Sequence, residues 1–349
     1  MIDTRCGLRC EGCEYKESCN CGGCIATNGV PFHGACPVAE CCQNKGFVHC
    51  GECPDIPCAL LSQYSCDPEH GDNPPGARIE QCRKWAKGEI MKVEKLFDNA
   101  DFRERFSKRL GIGNIASVSV GGLCETDVEC VLGGLTKSKT DLVLILEDGS
   151  RINISIKKST GGQVYLINVS RFIKGYEQQF STTIPEDIKD SLYLYFHGHP
   201  MNQQLLDTAS VVANESESLI RYQQRKERLV WRSLVNYDSA KANNFLTWLK
   251  DNIDNIADFC FSKGLAKNES DWADYVWYIN LLGETDFDTI FSISEIKSIV
   301  SINKEYIKPG IRNGGSTILL PFGFVQWHQK QMQFHHSYEL LCENIKTKL

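Results

Sequence analysis

Fourteen of the chain's 18 cysteines fall between Cys6 and Cys82, and that crowding limits how the first quarter of the chain can fold. The segment reads CGLRCEGC (6–13), CNCGGC (19–24), Cys36, CC (41–42), CGEC (50–53), Cys58, Cys66 and Cys82. C-x2-C pairs recur at 10/13, 21/24 and 50/53. Two thiolates at that spacing on a tight turn can share one metal ion, and glycine beside them permits the turn. The segment is poor in large aliphatic side chains, so it cannot bury much of a core and needs a staple. The candidate metal ligands are Cys6, Cys10, Cys13, Cys19, Cys21, Cys24, Cys36, Cys41, Cys42, Cys50, Cys53, Cys58, Cys66 and Cys82, with His33 and His49 in reserve. Structural Zn2+ in two or three sites is the first expectation. An iron–sulfur cluster is the second, and a brown colour would reveal it. Disulfides fit least, because the N-terminus, MIDTRCGLRC, has no apolar export signal. Spacing does not say which four cysteines belong together.

The rest of the chain is ordinary. Over its 349 residues 42% are hydrophobic and 23% charged, and no apolar run is long enough to span a bilayer. The cytoplasm is the expected location. Two domains are expected, a cysteine-rich head over 1–88 and a body over 89–349 with a helical insertion at about 205–300. A net charge of −6 excludes a uniformly basic nucleic-acid binder. It does not exclude local basic faces. Residues 151–176 carry Arg151, Lys157, Lys158, Arg171 and Lys174 with no acid. Residues 221–232 carry Arg221, Arg225, Lys226, Arg228 and Arg232 against Glu227.

Periodicity predicts a short helix over 77–88 that closes the head, then a helix within 88–111 ended by Gly111. Strands are expected near 116–120 and at DLVLILE (141–147), RINISIK (151–157) and QVYLINV (163–169). Helices follow at 170–180, with Ser170 as N-cap, and at 185–198, with Pro185 near N1 and Gly198 as the stop. A basic helix over 219–235 and an amphipathic one over 241–265 precede strand-like runs at 316–322 and 323–336. This order is α+β, or mixed α/β, rather than a doubly wound repeat.

The chemistry concentrates in KTDLVLILEDGSRINISIKKS (139–159). Asp-Gly between two apolar runs is a hairpin signature. Asp141 opens the first strand, and Lys157 and Lys158 close the second. An antiparallel pair puts the start of one strand beside the end of its partner. An acid there can hold Mg2+, which needs few carboxylates. A neighbouring cation can meet an attacking water and the charge developing on a phosphate. Two amphipathic core strands with a solvated end would read the same way.

Two resemblances add to this reading. CGLRCEGC, NCGGC and KGFVHCGECPDIPC, over roughly residues 3–88, resemble a bacterial and archaeal cysteine-rich family of uncharacterised function, which implies metal binding. The hairpin resembles the PD-(D/E)xK nuclease superfamily of the type II restriction enzymes. Asp141 matches its first Asp, although Thr140 replaces the usual Pro, and Lys157 matches its Lys. Ser155 stands where an Asp or Glu is usual, as in members that read Ser-x-Lys and take the missing carboxylate from the next helix. That implies Glu177, with Gln163 as a substitute and Glu125, in competition with Glu129, as an upstream acid. The context GLTKSKTDLVLIL, ISIKKS, QVYL and RFIKGYEQQF, over roughly 115–200, and more weakly PFGFVQWHQKQMQFHH, are similar to the restriction group.

The resemblance implies a restriction-endonuclease-like core that hydrolyses phosphodiester bonds of double-stranded DNA. Asp141, Glu177 and the Ile156 carbonyl would bind Mg2+, Lys157 would orient the water, and Ser155 would line the site. Lys158, Arg171, Lys174, Arg221, Arg225 and Arg228 would face nucleic acid. A homodimer fits such an enzyme, and a cognate methyltransferase would protect the host genome. The competing reading is a catalytically inactive nuclease fold, a DNA-binding or scaffold protein whose head carries the function. The His335–His336 pair is expected on an exposed strand surface, and Trp327 and Phe334 in the core.

Overall fold

The computed structural model describes residues 4–10, 13–53, 55–120, 127–197, 231–279, 289–310, 317–328 and 331–346. The fold is α+β. The chain forms two compact units. The first comprises Met1–Thr126, Asp141–Ile152 and Asn280–Glu284, and the second Asp127–Thr140, Asn153–Ile279 and Thr285–Leu349. No helix of the described residues is long and apolar enough to cross a membrane.

The first unit opens with short helices α1 (Glu14–Ser18), α2 (Pro37–Asn44) and α3 (Ala59–Ser65), followed by α4 (Ala77–Leu96) and α5 (Ala100–Leu110). α4 is one 20-residue helix and does not stop at residue 88. Gly88 costs a helix interior about 1 kcal/mol relative to Ala, too little to end it. The break falls at Asn99, whose side chain caps α5 by accepting from the Phe102 N–H at 3.1 Å. Gly111, at φ 65°, ends α5 as expected. The small core of the head gathers Cys6, Val38, Cys42, Phe47, Cys50, Cys53, Ile56, Leu61, Ile79 and Cys82. Gly7 shows how closely the backbone packs there, since a Cβ on it would lie 2.0 Å from the Arg78 carbonyl oxygen. β1 (Ile115–Val120) pairs antiparallel with β4 (Leu142–Leu146), from Ile115↔Leu146 to Val120↔Leu142. The turn after β4 closes with the Leu146 N–H on the Ser150 carbonyl at 2.9 Å, and Gly149 supplies the positive φ.

β5 (Arg151–Lys157) starts in the first unit and ends in the second. There it runs parallel to β7 (Tyr275–Tyr278), which pairs antiparallel with β8 (Thr289–Ser292). Asn153, 2% exposed, fixes the middle of β5: its amide donates to the Ser270 and Trp272 carbonyls at 2.8 and 2.7 Å. β2 (Asp127–Glu129) and β3 (Leu135–Lys137) form a separate hairpin. A second sheet has the order β6-β12-β11-β10-β9, with β6 (Gly161–Asn168), β9 (Lys308–Gly310), β10 (Thr317–Leu320), β11 (Gly323–His328) and β12 (Gln331–Ser337). Helices α6 (Val169–Phe180), α7 (Glu186–Leu192), α8 (Trp231–Tyr237), α9 (Ser239–Asp251), α10 (Ile253–Asp258), α11 (Ile293–Ile302) and α12 (Tyr338–Lys346) complete the unit. Its core is aromatic: Phe172, Tyr176, Tyr195, Phe259 and Phe334 are all nearly inaccessible.

Several local expectations change. Asn168, not Ser170, caps α6, accepting from the Ser170 N–H at 2.9 Å, because β6 runs directly into the helix at Val169. Pro185 is the N-cap of α7 rather than N1, and Gly198 lies outside the described residues. The long helix expected over 241–265 breaks at Asn252, whose side chain bonds back to the Trp248 carbonyl at 2.8 Å. A π-helical turn over Phe259–Lys263 follows. β7, β8 and α11 were not anticipated.

Candidate active site

Asp141 precedes β4 in the first unit and is buried, 8% exposed. Ser155, Ile156 and Lys157 end β5 in the second unit, with Ser155 1% exposed and Lys157 half-buried. A free ammonium is costly to hold away from water. Here the Lys157 Nζ donates to the Ser155 Oγ at 2.8 Å, the i, i+2 spacing having put both on one face of the strand. Lys157 is in register with Tyr278, and its carbonyl accepts from the Ile279 N–H at 3.0 Å.

Gln163 is buried on β6 opposite His335, and its Oε1 accepts from the Gln333 Nε2 at 2.5 Å. Gln333 in turn accepts from the Gln326 Nε2 at 2.8 Å. His336 is 4% exposed, and its Nδ1 lies 2.9 Å from the Tyr278 hydroxyl. Burial, reinforced by Lys157 and His335, holds the His336 imidazole neutral well below its ordinary range. His335 is half-buried and stacks on Phe324, centroids 4.3 Å apart. The pair is therefore not exposed strand surface, while Phe334 is core as expected. Sequence reasoning missed Gln326, Gln333 and Tyr278. The alternation in QMQFHH, with glutamine at 331 and 333, was the one available signal.

Glu177 is engaged near the end of α6. Its Oε1 accepts from the Ile184 N–H at 2.9 Å and lies 3.1 Å from the Lys189 Nζ. Glu129 is exposed and pairs with Lys267 at 3.0 Å. Arg171 and Lys174 lie on the exposed face of α6, and Lys158 is half-buried after β5. Glu125, Arg221, Arg225 and Arg228 lie outside the described residues.

All fourteen head cysteines are described, and none forms a disulfide. Cys41, Cys42, Cys50, Cys53 and Cys58 surround one void of about 20 Å3. The Lys45 ammonium donates to the Cys53 Sγ at 3.4 Å and to Asp55 at 2.9 Å. The Cys58 and Cys24 sulfurs accept backbone N–H groups from Leu61 and Arg5 at 3.4 and 3.2 Å. Burial pushes the Cys24 thiol up to about 11, and the Cys53 and Cys82 thiols up to about 12. Among the described residues no group of three or more His, Cys, Asp or Glu side chains could hold a metal ion. As packed, the thiols are not gathered into a four-ligand cluster among the described residues. Mg2+, which takes one or two carboxylates with carbonyl oxygens and waters, makes a smaller demand on the chain.

A family described as "Protein of unknown function (DUF3795)" matches residues 2–63. No curated protein matches the chain. Among solved structures, a crystal structure of restriction endonuclease MspI in complex with its cognate DNA is similar at 16% identity. The alignment covers 79% of this chain and 98% of that one, with a TM-score of 0.40.

Proposed function

We propose that the chain is a Mg2+-dependent DNA endonuclease of restriction type. The observation that carries this reading is the end of β5. A half-buried ammonium, Lys157, is held on a buried hydroxyl, Ser155, at the close of a strand. A short turn joins that strand to the one introduced by the buried carboxylate of Asp141. An apolar core strand has no need of either charge, and burying each costs several kcal/mol unless it is compensated, about 3–5 kcal/mol when one partner is missing.

In this reading Asp141 would supply the carboxylate for Mg2+, and the Ile156 carbonyl and the Gln163 amide oxygen are the oxygen donors the second unit offers. The bound ion supplies charge neutralisation at the scissile phosphate. Lys157 hydrogen-bonds the attacking water and meets the negative charge that grows on the phosphate oxygens as water adds and the sugar oxygen departs. Ser155 fixes the direction of the Lys157 side chain. Glu177 holds Ile184 and Lys189 through one carboxylate oxygen, so as a ligand it would serve through the other. The head contacts DNA or another protein, and a methyltransferase is the expected genetic partner.

A second reading is favoured by Ser155 in the usual acid position and by the engaged Glu177: a nuclease fold that binds DNA without cutting it. Cleavage of unmethylated phage DNA with Mg2+ separates the two. The expected result is discrete fragments from wild type, with Asp141→Ala and Lys157→Ala each slower by about 10²–10⁴-fold, and no cutting in EDTA. Binding without fragments, unchanged by either substitution, would favour the second reading.

A further inference from the structure

α6 borders a groove of about 640 Å3. Val131 and Leu132, from the loop between β2 and β3, give it an apolar floor, and Ser170, Arg171, Lys174, Glu177 and Gln178 line the rest. Arg171 and Lys174 are three residues apart on one helix, so they project side by side. Both are exposed, and among the described residues neither pairs with a carboxylate. Lys189, Lys241, Lys263 and Lys297 of the same unit each do. Glu177, the acid of the groove, is already matched by Lys189 and the Ile184 N–H. The groove therefore presents two unmatched positive charges above an apolar floor.

We propose that this groove seats one phosphodiester unit of duplex DNA, its phosphate between Arg171 and Lys174 and its sugar over Val131 and Leu132. The inference rests on the nuclease reading and gives Glu177 a different role: it closes the groove. Its volume lies in the range of pockets that hold whole organic ligands, well above what an isolated phosphate fills. Apolar floor beside paired cations matches a sugar–phosphate unit better than a bare anion. Two cations on a single phosphate also make a definite electrostatic demand. Each phosphate neutralised on B-DNA contributes about 0.9 to the slope of log affinity against log salt.

The test is duplex binding by fluorescence anisotropy across a salt series, without divalent cation so that nothing is cut. The double variant Arg171→Ala/Lys174→Ala is expected to lower the slope by about 1. The conservative variant Arg171→Lys should keep it. Lys304→Ala, which removes an exposed lysine paired with Asp251, should also keep it. An unchanged slope in the double variant overturns the groove and leaves the nuclease reading standing. An equal drop with Lys304→Ala also overturns it, as general charge. So does binding of deoxyadenosine monophosphate that depends on Arg171 and Lys174 while the duplex slope stays fixed. The expected slope change without any cleavage by wild type would uphold the groove and sink the nuclease.

Discussion

His336 occupies a position where an apolar side chain would be the simpler choice. Its ring packs against Tyr278, which Phe291 and Tyr338 flank in turn, and after burial Lys157 and His335 are the charged or titratable groups that lower its pKa. A histidine depressed in the folded state stays neutral there while the unfolded chain protonates near 6.5. Stability is therefore fully present above that pH and lost as pH falls below it, by about 1.4 kcal/mol per unit until the folded value is reached. Urea melts from pH 7.5 to 5.0 should show that slope in wild type and a shallower one in His336→Gln. Equal slopes would mean that His336 is not buried neutral. At this scale Asp141 and Lys157 could be picked out of the sequence because an acid and a base at opposite ends of a hairpin leave a readable pattern. Gln333 and Tyr278 could not. They reach the site through pairings with distant strands, and nothing beside them in the chain marks those partners.

Among the described strand glycines the tightest approach is at Gly323, the first residue of β11. It has φ 149°, and a Cβ on it would lie 2.1 Å from the His335 carbonyl oxygen of the paired strand β12. The obstacle is backbone and cannot rotate away. Gly323→Ala should cost about 2–3 kcal/mol in a denaturant melt, against at most a few tenths for Gly134→Ala, beyond the strain of its own positive φ, since nothing lies within 4 Å of that position. Equal losses would mean that the approach relaxes. β5 and β6 were legible because alternation and the Asp-Gly turn are local. β7, YVWY, was not: it is a four-residue apolar run whose strand character depends on pairing with β5. α4 runs past the expected end at residue 88 to Leu96, and the next helix starts at the Asn99 cap.

For the whole molecule, the cysteine-rich head was legible from composition, but the thiol grouping was not, since spacing cannot tell a metal ligand from a packed thiol. The structure sorts the thiols by exposure. Cys19 and Cys66 are exposed, while Cys6, Cys24, Cys42, Cys50, Cys53 and Cys82 are buried. A disulfide reagent such as DTNB should modify Cys19 and Cys66 about tenfold or more faster than the buried set in the native chain, and unfolding should erase the difference. Peptide mapping of the first thiols modified would check this, and early labelling of Cys42 or Cys50 would contradict it.

Where the strands pair also decides when the proposed centre can exist. Ile154 of β5 waits for Tyr275, and Gln163 of β6 waits for His335. Contacts so far apart along the chain form late and slow folding. On a ribosome, the strand that carries Lys157 emerges long before β7 and β12 do, and until they arrive Lys157 and Gln163 lack their neighbours. Under the proposed activity, a nascent chain would lack the assembled centre until then, and the delay would come from topology alone.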